Sequence, residues 1–376
     1  MTFTQNAYKT IPVSVFLILA SVIVSACGST ADILPGAGGL GSEDEPTAAA
    51  EITDAPEEPP PATPIPAPFG SIIFVSNRDG QMSLYKTTPD GIQQIRLTTS
   101  GSEDGNPVIS PDGTRVAFVS TLNDNTDIYI LDLNTLDVTR VTDTAERDAA
   151  PSWSPDGQQL VFESFRDGNL EIYVTNADGS NQIRLTNDAA GDSSPVWSPN
   201  GSEIAFVSNR FGNSDILLLS LNGAVSTLTT SAAPDSAPAW SPDGSIIAYK
   251  SSVGDLSNLC LIGRDGLNQR CLTSAPSEYG SPAWSPNGMW VAANAKQSAG
   301  YGINVFSITD ETVIQLFEQG VEPRGTPAWS PDGVRLIFQA LAGGDMELYL
   351  VTVPTNEFIR VTSSVAYDGE PVWSDQ

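Results

Sequence analysis

Three residues before a proline that returns every 43–45 residues, the chain carries Asp104, Asp148, Asp192, Asp235, Tyr279, Arg324 and Asp368. Five carboxylates at one repeated position, interrupted by Tyr279 and Arg324, make an acidic collar if the repeats close into a ring. Such a collar would hold a cation such as Ca²⁺, or a basic segment of a partner. The alternative is local: an aspartate in a loop accepts backbone N–H bonds from its own turn. Arg78, Arg166 and Arg210 fall in loops on the same face and would neutralise part of such a collar.

A second chemistry needs two carboxylates that the repeat does not copy. Glycoside cleavage uses a pair about 5.5–9.5 Å apart, one member kept protonated. The candidates are Glu163, at a position where other units carry Val, Lys, Asn or Gln, and Glu278 and Glu322, which flank the collar. Repeat degeneracy accounts for them equally well, and no catalytic residue is assigned. The chain has no histidine, which removes Ser-His-Asp and Cys-His mechanisms and imidazole-bound zinc. With 45 acidic residues against 17 basic ones, the net charge of -28 repels phosphate backbones and argues against nucleic acid as a partner. No cofactor is expected beyond a collar cation.

The N-terminus supplies an address. Residues 11–26, IPVSVFLILASVIVSA, form an apolar run preceded by Lys9, short for a membrane span and of the right order for a signal-peptide core. The run ends in Val24-Ser25-Ala26-Cys27, which resembles the lipobox of bacterial lipoproteins. That resemblance implies cleavage after residue 26 and lipidation of Cys27. Residues 27–69 are rich in proline, alanine and acid, with no basic side chain, and are expected to be a disordered tether. The expectation is an extracytoplasmic protein, lipid-anchored to a bacterial membrane, with an envelope protein or glycan as partner.

The elements that must position the candidate residues come from a repeat. Ser-Pro-[Asp/Asn]-Gly begins at Ser110, Ser154, Ser198, Ser241, Ser285 and Ser330, and the chain stops as a seventh copy starts at Ser374. A period of 40–50 residues is that of propeller blades. Each period holds four short runs rich in β-branched and aromatic residues, as in VAFVS (116–120), EIYVTNA (171–177) and FIRVT (358–362). The first unit begins at its second strand, SIIFVS (71–76), and residues 371–374 supply its missing inner strand. The predicted fold is all-β: a monomeric seven-bladed propeller of four-stranded blades over 70–376. It is closed by pairing of the C-terminal inner strand with the N-terminal blade.

The pattern VWSPNGSEIAFVSNRFGNSDILLLSLNG (196–223) resembles TolB-type propeller repeats, over about 300 residues in register. The chain departs from TolB itself in having seven units where that protein has six blades, and no α/β domain before them. The resemblance implies a propeller in the cell envelope. A binding scaffold leads the functional readings, followed by a carboxylate-based glycan enzyme and by a structural organiser related to the Tol-Pal system.

Two repeated features and one cysteine pair read as structure. The Ser-Pro-Asp-Gly segment suits a type I turn, and Asn200 and Asn287 replace its aspartate in two units, which a required charge would not allow. Trp153, Trp197, Trp240, Trp284, Trp329 and Trp373 are the expected wedges between blades. Cys260 and Cys271 lie on two arms of one hairpin, and folding about Asp265-Gly266 sets them opposite each other. In an exported protein this favours a disulfide, worth about 2–3 kcal/mol, with two free thiols as the alternative. The turn count makes them a hydrogen-bonded cross-strand pair.

Overall fold

The computed structural model describes residues 70–99 and 101–374; Cys27, residues 1–26 and the 27–69 segment lie outside them. The described residues form seven antiparallel sheets of four strands. Blade 1 runs, from the axis outward, Asp368–Ser374, Ser71–Ser76, Ser83–Thr87 and Gln94–Arg96. Blades 2 to 7 follow in order over 103–140, 148–184, 192–227, 235–271, 283–316 and 321–360. The last strand pairs with the first, Trp373 opposite Ile72, and the inner strands touch one another in cyclic order. The ring is sealed by both ends of the described chain, leaving no blade edge open at the closure.

The Ser-Pro-Asp-Gly turns show why aspartate and asparagine interchange. Ser154 Oγ donates to Asp156 Oδ1 at 2.6 Å, Gln158 N donates to the same oxygen at 3.0 Å, and Gly157 takes φ +67°. Asn200 Oδ1 receives the matching bonds from Ser198 Oγ and Ser202 N at 2.9 and 3.0 Å. The turn needs one acceptor oxygen, which either residue supplies. Where it is a carboxylate, the serine hydroxyl holds Asp112, Asp156 and Asp243 below the usual carboxylate range.

The tryptophans do more than fill space. Trp153 Nε1 donates to Val108 O at 3.0 Å, Trp284 to Ala239 O at 2.9 Å, Trp329 to Ala283 O at 3.0 Å and Trp373 to Ala328 O at 3.1 Å. Each bond ties one blade to the inner strand of the blade before it. Trp197 is the exception: it is buried, yet its Nε1 has no partner among the described residues.

In six blades the inner strand starts earlier than the sequence suggests; in blade 6 it is only Ala283–Trp284. In blade 3 the strand is Asp148–Trp153, and its register slips between Ala149 and Ser152. The slip is a bulge in which Ala150 takes φ +51°, and Asn106, Ser194, Ala237 and Glu370 sit at the same place with φ 50–52°. A non-glycine residue in this region costs on the order of 1 kcal/mol, and five blades hold it just before proline. The bulge turns the aspartate two residues earlier away from the axis and into the seam between blades.

Candidate functional site

The residues expected to form a collar do not line the mouth as open carboxylates. Asp148, Asp192, Asp235 and Asp368 are fully buried and Asp104 nearly so, each near the start of an inner strand rather than in the loop before it. Both oxygens of Asp148 accept from Arg166 Nη2, at 3.1 and 3.0 Å, and Oδ2 also accepts from Thr144 Oγ1 at 3.1 Å. Asp192 is held the same way by Arg210 at 2.9 and 2.7 Å, and Asp368 by Arg78 at 2.8 and 2.9 Å. In each case arginine Nε also donates to the serine that ends the second strand, Ser164, Ser208 or Ser76. Asp104 has no arginine and accepts hydroxyl bonds from Thr98, Ser102 and Ser120 at 2.6, 2.9 and 2.6 Å. These partners are side chains, so the local alternative of backbone N–H capping also misses the arrangement. A buried carboxylate needs a full set of donors, and the nearby guanidinium supplies it.

The repeat breaks in blades 5 to 7, and there the mouth opens. Tyr279 replaces the aspartate in blade 6, stacking edge-on against Phe306 with ring centroids 6.0 Å apart; burial pushes its phenol up. Arg324 replaces it in blade 7, with its guanidinium 4.9 Å from the Tyr301 ring centroid and Nη2 2.8 Å from Glu322 Oε2. Tyr301 donates to Glu278 Oε2 at 2.5 Å, and Lys296 Nζ donates to Glu278 Oε1 at 2.8 Å. The Lys296 bond, then that of Tyr301, holds the Glu278 carboxyl below its usual range. Glu278, Tyr279, Tyr301 and Arg324 wall a cavity of about 420 Å³ that also takes in Lys250 and Asn294. Among the described residues no carboxylate lies within 4.0 Å of the Lys250 ammonium group.

A second cavity, of about 580 Å³, shares Gly325 and Thr326 with the first and runs along the inner strands of blades 1, 2 and 3. Its charged groups are engaged. Glu370 Oε2 accepts the Asn106 N–H at 2.5 Å, and Gln339 Oε1 accepts the Glu370 N–H at 2.6 Å. Glu163 accepts from Arg147 Nη1 at 2.8 Å and from Ser194 N at 2.9 Å. Asn294 Nδ2 donates to Gly325 O at 2.5 Å. Glu163, Asn294 and Gln339 share one second-strand position, and each crosses to the bulge of the following blade. Lys250 holds that position in blade 5 and makes no such crossing. The variation at this position was visible in the sequence; its inter-blade role was not.

Each of the three carboxylates weighed as catalytic candidates is engaged by a cation. Glu163 binds Arg147 and a backbone N–H, Glu278 is drawn down by Lys296, and Glu322 binds Arg324. A general acid for glycoside cleavage needs the opposite environment. No group of three or more carboxylate or thiol side chains converges on a metal position among the described residues.

Cys260 and Cys271 are joined by a disulfide across the third and outer strands of blade 5, with Cα atoms 3.8 Å apart. They are a non-hydrogen-bonded pair, unlike the phase counted from the sequence: Leu272 N donates to Leu259 O one position away. The reason is the turn. Gly266 N donates to Gly263 O, Gly263 N to Leu267 O, and Asn268 at φ +56° absorbs an extra residue that shifts the bonding phase.

The profile of the TolB beta propeller domain matches residues 105–320 and 253–376. Over 51 residues the chain is 51% identical to a Protein TolB homolog of Chlorobium luteolum, and 43% identical to that of Chlorobaculum tepidum. Each stretch is 13% of this chain and 12% of the relative, so the chain spans about an eighth of the length of the curated relatives it matches. Among solved structures, TolB from Acinetobacter baumannii superposes with a TM-score of 0.55 at 22% identity, covering 82% of this chain and 68% of that one. An oligogalacturonate lyase in complex with manganese superposes with a TM-score of 0.65 at 17% identity, covering 76% and 86%. These two likenesses are of fold.

Proposed function

The chain belongs to the TolB beta propeller domain family, and we propose that it serves as a non-enzymatic binding scaffold, tethered outside the cytoplasm through lipidated Cys27. Its partner is an envelope protein or glycan, engaged at the channel mouth of blades 5 to 7. One observation carries this reading: the mouth cavity is built by the residues that break the repeat. In blades 1, 3 and 4 the repeated position is consumed by buried ion pairs, and in blade 2 by three hydroxyl donors. At the mouth, Tyr301, Arg324 and Lys250 present two faces typical of interfaces, aromatic and cationic, in a concave setting. The lipobox-like segment and the family's name support an envelope address.

The test is co-purification of the full chain, crosslinked in cells, with and without Lys250→Ala and Arg324→Ala. Loss of one defined partner from the double variant, at unchanged protein level, supports the reading. Retention of the same partners at the same yield refutes it. A Cys27→Ser chain that stays in the membrane fraction and takes up no palmitate in either form refutes the tether.

A further inference from the structure

At several seams between blades the start of one inner strand lies against the start of the preceding blade's third strand. Asp192 N donates to Leu170 O at 2.8 Å, and Asp235 N to Ser214 O at 2.7 Å. At the seam of blades 3 and 4, two carboxylates meet two guanidinium groups: Asp192 with Arg210 at 2.7 Å and Glu171 with Arg184 at 2.6 Å. The seam of blades 2 and 3 repeats this with Asp148, Asp127, Arg166 and Arg140. The seam of blades 7 and 1 repeats it with Asp368, Glu347, Arg78 and Arg360.

The seam of blades 4 and 5 keeps both acids, Asp235 and Asp215, and has lost both arginines. Thr227 stands opposite Leu217, where Arg184 stands opposite Tyr173 and Arg140 opposite Tyr129. After Ser251 the chain reads Ser252-Val253-Gly254, without the arginine that follows Ser164 and Ser208. Both carboxylates are buried, and among the described residues no Lys or Arg lies within 4.0 Å of either. Asp235 Oδ1 accepts no hydrogen bond from the described residues, while Oδ2 receives Ser231 Oγ at 3.3 Å. Thr229 Oγ1 reaches Asp215 Oδ1 only at 3.5 Å. At the seam of blades 1 and 2, Asp104 also lacks an arginine, but it faces Ser83 rather than a second acid and has three hydroxyl donors.

We propose that the seam of blades 4 and 5 binds one divalent cation of the calcium type, held by Asp235 and Asp215 with the Thr229 and Ser231 hydroxyls. The two positive charges replace the two guanidinium groups of the equivalent seams, and an all-oxygen donor set suits a hard cation. A proton is the competitor. Burial pushes the Asp235 carboxyl up against the pull of Ser251, Thr229 and Ser231, and burial followed by the charge of Asp235 raises Asp215. The remaining titratable group facing Asp235, Tyr249, is neutral, its phenol pushed up to about 12 by burial.

The experiment uses the full chain stripped with EDTA, with calcium chloride titrated at pH 7.5 while bound calcium and melting temperature are followed. The expected result is one calcium per chain and a rise in Tm of about 3–6 °C at saturation. Asp235→Asn and Asp215→Asn each abolish both. Thr227→Arg gives Asp215 the guanidinium that Arg140 gives Asp127; it raises the metal-free Tm and removes the calcium response, a gain that a merely misfolded variant cannot produce. No calcium bound to the parent chain, or binding unchanged in all three variants, overturns the proposal.

Discussion

Blades 1, 3 and 4 and blades 5 to 7 are built on the same repeat and spend it differently. In the first group the collar position is an aspartate clamped by an arginine from its own second-to-third-strand loop, out of reach of any ligand. In the second group the clamp is gone: Asp235 has no arginine, Tyr279 packs on Phe306, and Arg324 swings over Tyr301. The contrast teaches that a conspicuous ring of charge can be scaffold, while the gaps in it mark where the molecule is open.

Breaking the clamp gives the largest expected effect. Arg166→Ala strands the buried Asp148 carboxylate and should cost about 3 kcal/mol in urea unfolding. Arg324→Ala, whose side chain is 41% exposed at a partly open pair, should cost less than about 1 kcal/mol. Equal costs would erase the distinction between the two groups. Next comes the disulfide particular to blade 5: reducing Cys260–Cys271 should cost about 2–3 kcal/mol, seen as a lower urea midpoint under dithiothreitol. The tryptophan ties sharpen the comparison at about 1 kcal/mol. Trp329→Phe deprives Ala283 O of its donor, whereas Trp197→Phe removes an indole N–H that has no partner among the described residues, so Trp329→Phe should be the costlier change.

The smallest effect is one of pH. A carboxyl whose folded pKa is raised adds stability that is fully present below its unfolded value, about 4, and is lost as pH rises through the folded value. Metal-free protein should therefore lose stability over that window, and the loss should be shallower in Asp235→Asn. Identical slopes in denaturant titrations from pH 4 to 7.5 would remove the contrast between this seam and the compensated ones.

The architecture was legible because a period near 44 residues and a seventh copy cut short at Ser374 dictate both blade number and closure. The turn was legible too, since the exchange of Asp156-type residues with Asn200 says that an acceptor, not a charge, is required. The destination of the collar acids was harder to read. Arg78, Arg166 and Arg210 were recognisable as neutralising groups, but the inward turn depends on a bulge at Ala150 and its equivalents that ordinary pre-proline preferences oppose. The mouth was legible only in part: Tyr279, Arg324 and Glu278 stood out as breaks in or beside the repeat. Tyr301 and Lys250 belong to strands far apart in sequence and meet only once blades 5 to 7 are assembled. The bonding phase at Cys260 turned on one αL residue, Asn268.

The central claim is that recognition happens where the repeat fails. The most direct measurement places a photo-crosslinking amino acid at Tyr301, at the mouth, and separately at Ile95, on the outer strand of blade 1, in the full chain in cells. The account predicts a discrete adduct from position 301 that Lys250→Ala with Arg324→Ala removes, and none from position 95. The same adduct from both positions, or one from 301 that survives the double variant, would contradict it.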